Sequence, residues 1–208
     1  MLSKRLSAVA SLITTESVID VGCDHGYLDI YLTKKGLKCR ATDISVNALN
    51  TAINNFKKYN LDIETICTDG LNNIKINKTD TIVIAGMGAD AIVKILNRKI
   101  TNDLVILTHN HLEKLRRYIV GIGYYIDREL FVIDKNKPYV IIKFKYGNCN
   151  YSNYDYIIGP VIQDVNYFDY LIKKYKNILD SIPNYYIDKI NYYNNLIAEL
   201  EKRKESVK

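Results

Sequence analysis

Short runs rich in β-branched residues alternate with helix-length amphipathic segments from residue 17 to residue 120, and most runs end on an acid or a glycine. Ser17–Val21, Lys38–Thr42, Ile63–Cys67, Thr81–Ala85 and Leu104–Leu107 read as strands. Tyr27–Lys35, Ser45–Tyr59, Asp90–Arg98 and Leu112–Val120 read as the helices that follow them. In the second of these helices Val46, Leu49, Ile53 and Phe56 make a core face. Strands separated by helices are joined by crossovers, so they pair in parallel and both faces of the sheet are covered. The alternation stops at Tyr124–Ile133 and Tyr139–Tyr146, two strand-like runs joined by the polar segment Asp134–Pro138. These read as an antiparallel hairpin that closes the sheet. Ahead of the first strand, Leu2, Leu6, Val9 and Ile13 recur at helical spacing.

Gly147–Ser152 is polar and marks a boundary. Beyond it Val165, Phe168, Ile172, Tyr175, Leu179 and Ile182 step by three and four residues, as do Tyr186, Ile190, Tyr193, Ile197 and Leu200. Pro183 interrupts the two series. The expected division is therefore an α/β domain over residues 1–150 and a coiled-coil helical hairpin over residues 151–208. At 48% hydrophobic and 25% charged residues in 208, the chain can bury a core and is not a disordered one. No run approaches the ~20 apolar residues that span a bilayer, so no membrane partner is expected. The spacing of Cys23, Cys39, Cys67 and Cys149 excludes a zinc ribbon and argues against a disulfide framework, which favours a reducing cytoplasm. His109 and His111 lack an acidic or Cys partner, so no metal is expected. A net charge of +6 permits a polyanionic partner without requiring one. With 18 Tyr in the chain, no single Tyr is a signal by itself.

The chemistry-bearing motifs sit where open α/β sheets bind ligands, at the C-terminal ends of the strands. The first is Asp20-Val21-Gly22-Cys23-Asp24-His25-Gly26-Tyr27. Gly22 permits a sharp turn, while Asp24 stands where a dinucleotide fingerprint has its second glycine. A carboxylate there repels a pyrophosphate and suits a cationic end such as the amino acid portion of S-adenosyl-L-methionine. Asp43, about twenty residues on, can accept from ribose hydroxyls or cap the next helix. Asp69-Gly70 can read an exocyclic amine or form a common turn. Ala85-Gly86-Met87-Gly88 brings the backbone close to whatever lies over the sheet.

In these motifs the chain resembles the bacterial tRNA (adenine-22-N1)-methyltransferases, the TrmK family. The resemblance rests on Leu2-Ser3-Lys4-Arg5-Leu6, Asp20–Leu28, Asp69-Gly70-Leu71, Thr81–Gly88, Gly123-Tyr124 and Gly159-Pro160. Cys23 stands for a family Ser, Gly26 for Ala and Asp43 often for Glu. Thr108-His109-Asn110 stands for Gln-Pro-Asn. The resemblance implies a class I SAM-dependent methyltransferase (Rossmann-like) domain with a C-terminal helical arm. Its cofactor would be S-adenosyl-L-methionine, held by Gly22, Cys23, Asp24, Asp43, Asp69, Gly70, Ala85, Gly86 and Met87.

The implied substrate is N1 of adenine 22 in tRNA. Tyr27 would stack on the base, with His25 and Asn110 as polar contacts. Lys4 and Arg5, beside the site, and Lys173 and Lys174, on the arm, would hold the RNA. A monomer is expected rather than a dimer. The residues alone leave open another RNA or a small molecule as substrate, and a SAM-binding RNA module without activity. They also leave the hairpin open as an RNA arm, a dimerisation element or a lid.

Overall fold

The computed structural model describes residues 2–207, which divide after Asn150 into two compact units. In the first unit α1 (Lys4–Leu12) starts at Ser3, whose hydroxyl accepts from the Leu6 N–H. Then follow β1 (Ser17–Val21), α2 (Tyr27–Lys34), β2 (Lys38–Asp43), α3 (Val46–Lys58) and β3 (Glu64–Cys67). The unit continues with β4 (Asp80–Ala85), α4 (Ala89–Ile95), β5 (Leu104–Thr108), α5 (Leu112–Gly121), β6 (Tyr124–Asp134) and β7 (Lys137–Tyr146).

The sheet runs β3-β2-β1-β4-β5-β7-β6. The first five of these strands pair in parallel, and β7 is antiparallel to both β5 and β6. β1 lies between β2 and β4, with Val21 opposite Thr42 on one side and Ile84 on the other. The chain winds outward in opposite directions from β1 and β4. Their C-terminal ends therefore form the topological switch point, where open sheets bind ligands. Val18, Ile19, Ile82–Ile84 and Leu104–Leu107 are buried, as strands covered on both faces require.

Two local expectations are corrected here. The segment Asp134–Pro138 is not a loop: the strands run up to a two-residue turn, Lys135-Asn136, with φ of 49° and 61°. Both values are positive, as in the tight turn whose twist matches a hairpin. Pro138 pairs with Ile133 in β7, past the last β5 partner Val140, so its missing N–H leaves no gap in the β5 ladder. The helix expected over Asp90–Arg98 is α4 and ends at Ile95.

The second unit holds α6 (Asn153–Ile158), α7 (Val165–Asp180) and α8 (Ile187–Val207). α6 is an addition to the expected hairpin. Its start is set by reciprocal hydrogen bonds between Ser152 and Asp155. Asp164 caps α7 by accepting from the N–H groups of Asn166 and Tyr167. The pairs Asp169–Lys204 and Tyr175–Tyr193 show that α7 and α8 run antiparallel. Arg203 joins α8 to α6 through Asp155 at 2.8 Å and the Gly159 carbonyl at 3.1 Å.

Candidate active site

The site starts from one turn. After β1 the chain reverses at Gly22, with φ +78°, and the N–H groups of Gly22 and Cys23 both donate to the Thr42 carbonyl at 2.8 and 2.9 Å. This ties the turn to the end of β2. Gly26, with φ +68°, opens α2. A Cβ there would stand 2.4 Å from the Phe56 ring, so the turn packs on α3 at a distance only glycine permits.

Asp43 braces the turn from below. One carboxylate oxygen accepts from the Asp24 N–H at 3.2 Å and the other from the Ser45 N–H at 2.8 Å. The cap of α3 is Ser45, whose hydroxyl accepts from the Ala48 N–H. Each Asp43 oxygen keeps a second lone pair for another donor. The β4–α4 loop closes from the other side, with the Met87 methyl carbon 2.2 Å from where a Cβ on Gly22 would be. Gly86 has nothing within 4 Å of its Cβ position. Asp69 is exposed beyond β3, and Gly70 packs against Ile95.

A cavity of about 890 Å³ opens beside the turn, walled by the start of α1, by α2 and by the β6–β7 tip. Lys4, Arg5, Gly22, Cys23, Asp24, His25, Tyr27 and Ala85 line it together. Asp43, Asp69, Gly70, Gly86 and Met87 lie outside its lining and flank the strand ends. Asn110 is also outside it. Its side-chain oxygen accepts from the Ala89 N–H and from the Thr108 hydroxyl, both at 3.3 Å, tying the β5 loop to α4. Lys173 and Lys174 are exposed on α7 in the second unit.

The His25 Nδ1 lies 2.8 Å from an Asp24 carboxylate oxygen. A proton on Nδ1 donates to that oxygen and leaves Nε2 as an acceptor. The His25 ring is nearly parallel to that of Tyr27, with centroids 5.7 Å apart. Arg5 is engaged within the first unit. It donates to the Tyr139 hydroxyl at 3.0 Å and approaches Asp134 at 3.9 Å, so it pins α1 to the hairpin tip.

Two buried acids escaped sequence reasoning as functional groups. Asp20 on β1 and Asp29 in α2 are 3% and 0% exposed. Burial, and then the charge of Asp43, pushes the Asp20 carboxyl up to about 7, and burial with the charge of Asp20 holds Asp29 well above the usual carboxylate range. Among the described residues neither Asp29 carboxylate oxygen has a hydrogen-bond partner. Asp20 lines the cavity, and Asp29 is buried behind it. Burial, and then Asp29, Asp20 and Asp43, push the Cys23 thiol far up, so it is neutral and no nucleophile.

Among the described residues no group of three His, Cys, Asp or Glu side chains is placed to hold a metal ion. The arrangement holds glycine-opened backbone, carboxylates at the ends of β1 and β2, and an aromatic wall. It suits binding and orienting an elongated cationic ligand beside a planar one.

The methyltransferase-domain family matches residues 2–142. A Mycoplasma genitalium protein assigned as a tRNA methyltransferase is 32% identical over 189 residues, covering 86% of each chain. The tRNA (adenine(22)-N(1))-methyltransferase of Bacillus subtilis is 31% identical over 71% of this chain and 66% of its own. The structure of M. capricolum TrmK, in complex with S-adenosyl-homocysteine, superposes with a TM-score of 0.83 at 29% identity over the whole of both chains. The chain belongs to the TrmK family. That family's fold extends over both units, including the helices after residue 150, which lie beyond the methyltransferase-domain match. No helix among the described residues is long and apolar enough to cross a membrane.

Proposed function

We propose that this chain methylates N1 of adenine 22 in tRNA, with S-adenosyl-L-methionine as methyl donor. The observation that carries the reading is the Gly22 turn of a TrmK-family chain, braced by Asp43 and opening onto a cavity walled by Tyr27 and His25. The residues fit the cofactor. Asp43 has acceptor capacity left for ribose hydroxyls, and Asp20 and Asp24 line the cavity on the side where an ammonium belongs. Asp69, exposed beyond β3, accepts from an adenine amine, and Gly86 leaves its stretch of backbone open to the cofactor. Cys23 and Ala85 line the cavity, while Gly70 and Met87 flank the strand ends. When bound, S-adenosyl-L-methionine supplies an electrophilic sulfonium methyl group.

The chain's own task is placement. N1 of adenine has a lone pair and no proton, so no general base is needed and orientation supplies most of the acceleration. N1 is on the pairing edge, so the base must leave the stack to reach the cavity. Tyr27 stacks on it, and His25 Nε2 accepts from its N6 amine. Methylation leaves the adenine ring positively charged, and the Asp24 carboxylate favours that charge. Asn110 acts by holding the β5 loop against α4. Lys4 and, across the second unit, Lys173 and Lys174 meet phosphates, while Arg5 positions α1. The chain works as a monomer in the cytoplasm, where tRNA and the cofactor are found.

Incubation of the purified chain with a tRNA transcript and S-adenosyl-L-methionine, followed by mass spectrometry of nuclease digests, tests this. One added methyl on adenine 22, lost in an A22G transcript, is expected. A chain that binds the cofactor and leaves adenine 22 unmodified would overturn the reading.

A further inference from the structure

The cavity has more wall than one base requires. Its lining reaches from Gly22 and Ala85 at the strand ends to Tyr31 and Lys34 in the later part of α2 and Tyr59 at the end of α3, its outer end. At about 890 Å³ it stands in the upper part of the range of about 300–1,000 Å³ that encloses whole small ligands. A base stacked on Tyr27 would occupy the inner part and leave the outer end open.

We propose that this outer end is a second nucleotide subsite, which stacks the base of an unpaired nucleotide next to the methylated adenine and holds its phosphate on Lys34. The inference rests on the RNA-methylation reading above.

Tyr31 follows Tyr27 by one helical turn, so both present their rings on the same side of α2. Tyr27, Tyr31 and Tyr59 are 51%, 38% and 48% exposed, a run of solvent-facing rings along one groove. The Lys34 ammonium stands 4.0 Å from the Tyr59 ring centroid. A cation held over one aromatic face beside a second ring offers what a nucleotide needs, a π surface for the base and a positive charge for the phosphate.

Charge selects the occupant. The acids of the lining sit elsewhere: Asp20 and Asp24 at the inner end, Asp134 beside Arg5. Tyr31, Lys34 and Tyr59 bring two rings and a cation to the outer end and no acid, complementary to a polyanion carrying flat rings. Extruding the target adenine breaks its stack with a neighbour, and that neighbour is the base left seeking a new aromatic surface. Stacking of this kind tolerates any base.

The test uses the full chain and a tRNA transcript carrying 2-aminopurine at the nucleotide next to position 22. Tyr31→Ala with Tyr59→Ala should raise the tRNA Kd by about tenfold or more. It should also abolish the quenching of 2-aminopurine seen with the unaltered chain, while the affinity for S-adenosyl-L-methionine stays the same. Tyr31→Phe with Tyr59→Phe should bind as the unaltered chain does, since the ring and not the hydroxyl carries the contact. Lys34→Glu, with both rings in place, should weaken tRNA binding as well. Unchanged tRNA affinity and quenching in the Ala variant would overturn the subsite, whichever adenine the unaltered chain methylates. Methylation at another adenine, with affinity still lost in the Ala variant, would displace the target assignment and uphold the subsite. An unaltered chain that binds no tRNA would overturn both.

Discussion

Asp20 and Asp29 are buried together, and the charge of Asp20 opposes the ionisation of Asp29. Both carboxyls are pushed up, first by burial. An acid raised in the folded state holds its proton after the unfolded chain, near pH 4, has released it. Between about pH 4 and Asp20's value of about 7 the folded protein therefore binds more protons than the unfolded chain, and stability falls as pH rises. Above that window the Asp20 share of the loss is complete. Asp29→Asn removes one of the two acids and leaves an amide that donates to Asp20. It should match the unaltered chain near pH 4 and exceed it by about 1 kcal/mol or more near pH 8, on the scale of one pKa unit. Urea melts across that range check it, and parallel stability profiles would exclude a raised, buried pair of acids.

Gly26 carries a second prediction. Its φ of +68° and the 2.4 Å between a Cβ position and the Phe56 ring act together. Gly26→Ala should cost about 2–5 kcal/mol, roughly 1–2 for the left-handed backbone and 1–3 for overpacking against a buried ring. Phe56→Leu in the Gly26→Ala background should recover part of that loss if the ring is the obstacle. An unchanged urea midpoint for Gly26→Ala would mean that α3 yields freely.

What the chain's letters disclose follows the range of the interaction. The strand-helix alternation and the glycine and acid at each strand end are local patterns, so the sheet, the Gly22 turn and Asp43 were legible. α6 was not, because six residues give no period, although Ser152 and Asp155 were a readable capping box. Lys135-Asn136 hid its tight turn by lacking a glycine. The Arg5–Tyr139 contact joins residues 134 apart in sequence, which no local pattern shows. Asp29 reads as a polar position in a short helix, and only the packed structure shows it fully buried. Tyr31 and Tyr59 were lost among 18 tyrosines, where a four-residue spacing to Tyr27 was the one available signal.

Asp43 is the carboxylate on which the cofactor assignment turns. It already accepts from Asp24 and Ser45, so its removal loosens the turn as well as the ribose contact. Asp43→Ala should weaken S-adenosyl-L-methionine binding by about 1–3 kcal/mol, the scale of lost charge-assisted hydrogen bonds. Asp43→Glu, with the same charge on a longer arm, should recover part of it. Calorimetry on folded variants decides the matter. Full affinity in Asp43→Ala would leave Asp43 a brace of the turn and nothing more.

Lys173 and Lys174 test the second unit. Both are exposed on α7, on a hairpin that carries its own caps and its own apolar seam of Phe168, Leu171, Ile172, Leu196, Ile197 and Leu200. Replacing two exposed lysines there leaves that seam untouched, so the fold should persist. If each meets a phosphate, each releases about 0.9 counterions on binding duplex RNA segments, taking the B-DNA value. Lys173→Ala with Lys174→Ala should then lower the slope of log K against log salt by about 1–2, and the loss of tRNA affinity should be greatest at low salt. Cofactor affinity should stay as it was, because the cofactor residues all lie in the first unit. A salt slope equal to that of the unaltered chain would remove these lysines from the RNA interface. A fall in affinity with no change in slope would point instead to a non-electrostatic effect of the substitutions on α7.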